Sequence, residues 1–321
     1  MILRKPDFYD KFKCIASRCT DTCCVGWEID IDETSQETYR EVGGAFGEKL
    51  RQNIEDGHFK LLPHDRCPFL DRDNLCEIYR HLGEDALCDI CREHPRFVEV
   101  YGDLMERGIG LCCEEAARLL LEGEEPLAFS FEETDEPEDE LDDDDREIRD
   151  EVLGERETMF ETLADASIPF SERLRRVFGP TDGTAAPVCG QKIFELLSKT
   201  ISYGPAWDEA LDRIRASLDK ATGETPIRDQ GFFSENESVR LLAYLIYRHY
   251  AKALFDGRGQ GKLQFALFFW NAARLFTREL AGNSTSPCDA GRLKVCAVKL
   301  LSKQLEYCEE NMFQVESALD G

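Results

Sequence analysis

Ten of the fourteen cysteines in this 321-residue chain fall between Cys14 and Cys113, and four of them, Cys14, Cys19, Cys23 and Cys24, lie within eleven residues. The other six are Cys67, Cys76, Cys88, Cys91, Cys112 and Cys113. A thiolate is a soft anionic ligand, and several brought together hold zinc or an iron–sulfur cluster. Neighbouring side chains diverge, so the adjacent pairs Cys23–Cys24 and Cys112–Cys113 are poorly placed to bridge to each other. The cysteine-rich part of the chain is therefore expected to be a metal-binding domain.

Compartment separates metal from disulfide. The start, MILRKPDFYDKFKC, has no apolar core of a secretory signal, and no stretch approaches the roughly twenty apolar residues of a membrane span. The expected location is the cytoplasm, where thiols stay reduced. The four remaining cysteines, Cys189, Cys288, Cys296 and Cys308, are scattered and read as buried small hydrophobes. A net charge of −26 with no basic stripe repels nucleic acid and anionic membrane, so neither is an expected partner.

The length suits two domains, each with its own core. The divide falls in an acidic stretch: between Glu132 and Glu147, twelve of sixteen residues are Asp or Glu. Such a segment repels itself and buries little, so it reads as a solvated linker. The expected division is a cysteine-rich metal-binding domain over 1–122, an acidic linker over 123–147 and an α-helical domain over 148–321. The fold class is mainly α. Apolar spacing predicts helices over Arg146–Ala164, Pro187–Ser202, Trp207–Leu218, Ser238–Phe255, Lys262–Leu280 and Gly291–Met312, with Gly257, Gly282 and Asn283 as stops. Together they predict a bundle. In the first part, Trp-Glu-Ile-Asp-Ile before residue 32 alternates like a short strand, and Ser35–Leu50 looks helical. A turn over Ala86–Arg92, ended by Pro95, places Cys88 and Cys91 on one face. A further helix opens after Cys113.

The cysteines stand in a series of short motifs: C-x4-C-x3-C-C from Cys14 to Cys24, CPFL at 67–70, CEIY at 76–79 and CREHPR at 91–96. This series resembles the cysteine-cluster proteins with zinc- or iron-chelating domains. The longer segments PDFYDKFKC, DTCCVGW, CREHPRF and LCCEEAARLLL resemble the flagellin lysine-N-methylase family over about residues 6–122; beyond them only helical character is shared. The resemblance implies a SAM-dependent lysine N-methyltransferase of the bacterial cytoplasm, with S-adenosylmethionine as the methyl donor. Its partner would be flagellin or another lysine-bearing protein. The oligomeric state stays open.

The residues give part of the chemistry. The ligand set is Cys19, Cys23, Cys24, Cys67, Cys76, Cys88 and Cys91, with Cys14 and Cys112 next and Cys113 left to the core. Only Cys88–Cys91 has the C-x2-C spacing usual for zinc. The number of thiols and their irregular spacing favour an iron–sulfur cluster, with zinc as the alternative. His64 and His94 stand near Cys67 and Cys91, although a hydrogen-bonded histidine is the plainer reading. Trp27 is expected to pack over the site, and Arg92 and Arg96 to offset its charge. The C-x3-C-x2-C spacing of radical S-adenosylmethionine enzymes is absent, as is a glycine fingerprint after a strand. Gly43–Gly44 reads as a helix end. No catalytic or donor-binding residue is singled out. A non-enzymatic zinc or iron interaction module and an iron–sulfur redox protein are the alternative readings.

Overall fold

The computed structural model describes residues 1–63, 65–179, 189–220, 232–282 and 287–319, with the side chains of 287–289 excepted. His64, Pro187 and Asn283 lie outside these residues, and the Cys288 side chain is likewise undescribed. In chain order the elements are β1 (Ile2–Pro6), α1 (Glu33–Glu41), α2 (Gly44–Gln52), β2 (Ile54–Glu55), β3 (His58–Phe59), α3 (Glu77–Leu82), α4 (Asp89–Glu93), β4 (Arg96–Tyr101), β5 (Leu104–Ile109), α5 (Glu114–Leu121), β6 (Phe129–Glu133), α6 (Asp143–Ala164), α7 (Phe170–Phe178), α8 (Gly190–Leu197), α9 (Pro205–Leu218), α10 (Glu235–His249), α11 (Ala253–Asp256), α12 (Gly259–Ala281), α13 (Pro287–Leu305) and α14 (Glu309–Leu319). The chain is predominantly helical.

It divides into two compact units, one of residues 13–97 with 113–115, the other of 1–12, 98–112 and 116–321. These cuts differ from 1–122, 123–147 and 148–321. The cysteine unit is an insertion between the first strand and the rest of a sheet. That sheet, ordered β4-β5-β1-β6, belongs to the helical unit except for the start of β4. β1 runs parallel to β5, with Leu3 opposite Met105, and antiparallel to β6, with Pro6 opposite Phe129.

The acidic stretch is not a linker throughout. Its first residues form β6, and its Asp run opens α6: Asp142 caps the helix by accepting from the Asp145 amide at 2.8 Å. Carboxylates in a first helical turn face the partial positive charge of the unsatisfied amides, which favours this start over a solvated coil. The hairpin β4–β5 turns at Gly102, whose φ of +67° suits glycine. Its signal is a Val/Tyr-rich run, a Gly-Asp pair and a second run.

Within the helical unit α12 is the central element, packed against α7, α8, α9, α10, α13 and α14. Its run from Phe265 to Phe276 is apolar nearly all round, and a helix of that kind must be buried on every side. The expected helix over Gly291–Met312 is two, broken between Leu305 and Glu309, and Ser238–Phe255 is α10 and α11 joined by a 3-10 turn. Two buried arginines in this core are held by carboxylates and carbonyls. Arg156 is fully buried and reaches both oxygens of Glu106 at 2.8 and 2.5 Å. Arg240 binds Asp7 and the carbonyls of Leu120 and Glu125.

The cysteine unit is built from short pieces. Residues 35–50 form two helices, parted at Val42–Gly43 because Gly44 takes a φ of +71°. The Trp-Glu-Ile-Asp-Ile stretch alternates as expected, with Ile29 and Ile31 buried, but it makes only an isolated bridge, Asp30 to His58, rather than a strand. The core gathers Ile29, Ile31, Tyr39, Leu50, Phe59, Phe69, Leu70 and Ile78 around Cys67 and Cys88, with Cys24, Cys76 and Cys91 packed against them.

Candidate functional site

Three local structures deliver five thiols to the core of the cysteine unit. Cys24 and Cys67 are tied through the backbone, the Cys67 amide donating to the Cys24 carbonyl at 2.9 Å beside a bridge between Val25 and Arg66. The CPFL segment then turns, with the Leu70 amide returning to the Cys67 carbonyl at 3.2 Å. Cys76 bridges Leu70 and occupies the N-cap of α3. Cys88 occupies the N-cap of α4, one turn before Cys91. Helix N-termini favour thiolate over thiol, so at Cys76 and Cys88 the backbone amides work toward the anion, against burial.

Protonation shows how the thiols are grouped. The Cys23 thiol donates to Cys24 and brings Cys24 down to about 7, against the opposing effect of burial and with help from Thr22 and Arg66. Cys91 donates to Cys88 in the same way: Cys88 is lowered, and Cys91, holding the proton, is raised. Burial pushes Cys67 up to about 12, with the charges of Cys24, Cys76 and Cys88 adding to it. Burial raises Cys76 too, again with Cys24 and Cys88 contributing. Tyr39 is raised by burial and then by Cys88, Cys91 and Cys76. Cys24, Cys67, Cys76, Cys88 and Cys91 thus lie within one another's electrostatic reach.

The remaining expected ligands are placed differently. Cys23 is exposed and is influenced by Cys14 and Cys113 as well as by Cys24. Cys14 is exposed, its sulfur accepting from the Ala16 amide at 3.4 Å. Cys19 approaches the Glu114 carboxylate at 3.6 Å. Cys112 belongs to the helical unit, where it bonds Tyr307 and contacts the Gly110 carbonyl at 4.0 Å. His94 lies against Trp27 with ring centroids 5.1 Å apart, and the Trp27 indole donates to the Cys23 carbonyl at 2.6 Å. Arg92 pairs with Asp89. Cys308 is buried, as expected of a small hydrophobe, whereas Cys296 is exposed.

Two residues of this unit carry no single-residue signal in the sequence. Arg66 adjoins Cys24 only because Val25 and Arg66 pair across the chain. Asp32 accepts from the Ser35 amide at 2.8 Å and from the Asp89 amide at 2.9 Å, so one carboxylate fastens α1 to the start of α4. Burial works against its ionisation, but these amides outweigh it and hold Asp32 below the usual carboxylate range. The Asp-Glu-Thr-Ser run signals the first bond and not the second.

As a donor set, five buried or half-buried thiols, two of them at helix N-termini, suit a thiophilic metal. They stand as hydrogen-bonded pairs and electrostatic neighbours. Among the described residues no three His, Cys, Asp or Glu side chains close around a common point tightly enough to hold a metal ion.

The chain is 29% identical over 140 residues to the lysine-N-methylase of Salmonella typhimurium strain LT2, covering 39% of this chain and 34% of that protein. The lysine-N-methylase of Salmonella choleraesuis matches at the same identity and coverage. The chain thus spans about a third of the length of these relatives. The flagellar biosynthetic protein FliU of Salmonella muenchen is 31% identical over 135 residues, covering 39% of this chain and 80% of FliU. No family model matches the chain, and no solved structure does. On the extent of the FliU match, the chain belongs to the flagellin lysine-N-methylase family.

Proposed function

We propose that the protein is a SAM-dependent lysine N-methyltransferase of the bacterial cytoplasm, acting on flagellin or another lysine-bearing flagellar protein. The observation that carries this reading is its similarity to the two lysine-N-methylases and to FliU. In the reaction the neutral lysine amine attacks the methyl carbon of S-adenosylmethionine. The carbon–sulfur bond breaks with its electron pair going to sulfur, and the new ammonium yields its proton to a base. The net charge of −26 favours a cationic, lysine-bearing partner over an anionic one. Among the described residues no helix is long and apolar enough to cross a membrane.

The same reading includes a thiolate-held iron–sulfur cluster, with zinc as the alternative. Cys24, Cys67, Cys76, Cys88 and Cys91 would hold it, since these five share one core and one electrostatic neighbourhood. Bound there, the metal would fasten the short elements of the cysteine unit. The methyl transfer itself is polar and is written without it.

The test is an assay on protein purified without oxygen, incubated with S-adenosylmethionine and flagellin, and read by mass spectrometry of the flagellin lysines. Methylated lysine that disappears when the donor is omitted supports the reading; unmodified flagellin in the presence of donor overturns it. Iron, sulfide and zinc content of the same preparation decides the metal. Iron with matching sulfide is the expected result, and protein free of all three rejects the metal-holding role of the five thiols.

A further inference from the structure

The helical unit contains a cavity of about 440 Å³ on one face of its sheet, lined by Leu3, Met105, Arg107, Thr134, Asp135 and Glu136. A volume of that size falls within the roughly 300–1,000 Å³ of small-molecule sites. Leu3 and Met105 are opposed in the β1–β5 register, and Arg107 follows Met105 by two, so all three side chains occupy the same face. Leu3 and Met105 form a buried apolar floor. The segment leaving β6 brings Thr134, Asp135 and Glu136 to the rim.

Arg107 is the one cation among these lining residues. Two buried cations of the neighbouring strand β1 have carboxylate partners. Lys5 pairs with Glu132 at 2.9 Å and Asp10 at 3.2 Å; Arg4 pairs with Glu157 and lies 3.7 Å from Glu106. Arg107 is half-buried, and among the described residues its side chain has no carboxylate partner; its Nε is buried without an acceptor, as are those of Arg4 and Arg156. Two carboxylates line the same cavity, yet neither closes on it. A half-buried guanidinium without a protein carboxylate can take a ligand carboxylate in a two-bond, charge-assisted pair.

We propose that this cavity binds the methyl donor, with Arg107 receiving the carboxylate of its amino-acid end. An α-amino acid carries opposite charges a few bonds apart. Arg107 matches the carboxylate, and Asp135 and Glu136 match the ammonium and favour the nearby sulfonium. Leu3 and Met105 supply the apolar surface. The proposal rests on the methyltransferase reading and adds the location of the donor to it.

The experiment is equilibrium binding of S-adenosylmethionine and of its decarboxylated analogue to the full chain, by calorimetry under anaerobic conditions. The wild type is expected to favour S-adenosylmethionine by about ten- to a hundredfold, the size of a charged hydrogen-bonded pair. In Arg107→Gln that preference should disappear while binding of the decarboxylated analogue stays unchanged, which a merely unfolded variant would not give. Glu136→Gln should weaken both ligands about tenfold through the ammonium. A wild type that binds both ligands equally overturns the placement and leaves the methyltransferase reading standing. So does an Arg107→Gln protein that keeps the wild-type preference. A wild type that binds neither ligand overturns both.

Discussion

The two compact units solve the problem of stability with different materials. In the helical unit, α10 and α12 bury side chains from end to end, and Phe265, Phe268, Phe269 and Phe276 fill the space between helices. In the cysteine unit the longest helices have nine residues and the paired strands two. Helices this short are marginal alone in water and depend on tertiary contacts. Those contacts are partly thiols: Cys67 and Cys88 lie in the core and Cys24, Cys76 and Cys91 against it. A cysteine buries little area compared with a phenylalanine, so a core of this composition gains much less from the hydrophobic effect. Thiol chemistry has more to contribute in this unit than in its neighbour.

If the five thiols hold the proposed metal, the largest effect should come from stripping it. A structural zinc contributes on the order of 10 kcal/mol to folding of a small domain. Chelation under reducing conditions should raise amide exchange by orders of magnitude across residues 13–97 while leaving α10 and α12 protected. Hydrogen exchange with mass spectrometry separates the two units directly. Equal loss of protection in both would break the comparison, because the cysteine unit would then have no stability term of its own.

Next comes the reverse perturbation. Phe269→Ala removes a fully buried ring from the middle of α12 and should cost about 3–5 kcal/mol. Urea unfolding monitored on the helical signal should show the midpoint fall by the corresponding amount. Metal content should not change if the thiols alone hold the metal. A variant that loses stability and metal together would show that the two units do not keep separate accounts.

The sequence made these halves unequally legible. In the helical unit, apolar spacing located most helices, since a buried helix declares itself by its own local pattern. The sheet was harder. β1 is Ile-Leu-Arg-Lys-Pro, and nothing in that run shows that Arg4 and Lys5 will be buried. Their burial depends on Glu106, Glu132 and Glu157, all more than a hundred residues away. In the cysteine unit, Cys88 and Cys91 were legible as a pair because one helical turn separates them. The meeting of Cys24 with Cys67 was not, because it depends on the pairing of Val25 with Arg66 across forty residues. Cys19 and Cys24 belong to one motif, yet one faces Glu114 and the other the core. Spacing along a loop does not fix direction in space.

A third prediction concerns acid. His249 in α10 is 2% exposed and contacts the equally buried Glu306 at 2.8 Å; Arg248 reaches the same carboxylate at 3.0 Å. Burial pulls His249 down to about 4; Glu306 opposes this, and Arg248 and Lys252 reinforce it. An unfolded histidine titrates near 6.5. The unfolded state therefore binds the proton first. The stability contributed by neutral His249 is fully present above pH 6.5 and is lost as pH falls toward 4. The loss is on the order of 3 kcal/mol. His249→Gln should flatten the stability profile over that window. In urea titrations across pH, a wild-type slope retained by the variant would refute the assignment. This sharpens the comparison, because it is a pH-dependent liability inside the helical unit, beside ion pairs such as Arg156–Glu106 whose charges stay matched.

The smallest effects are at helix starts, where the units again differ. Ser234 caps α10 in a reciprocal box: its hydroxyl accepts from the Glu237 amide at 3.1 Å, and Glu237 accepts from the Ser234 amide at 2.7 Å. Ser234→Ala should cost about 1 kcal/mol, because one amide loses its acceptor at the end of a well-packed helix. Asp32 is also a cap, but its two oxygens serve amides of two different helices. Asp32→Ala should cost about 2 kcal/mol, from two unmatched amides and the loss of the join between α1 and α4. Since α4 carries Cys91 and begins at Cys88, Asp32→Ala should also loosen the Cys88–Cys91 pair and quicken alkylation of both thiols. Ser234→Ala should leave alkylation unchanged. Mass spectrometry of the modified cysteines checks this: equal alkylation in the two variants would mean that Asp32 is an ordinary cap, and that the positions of the thiols do not depend on it.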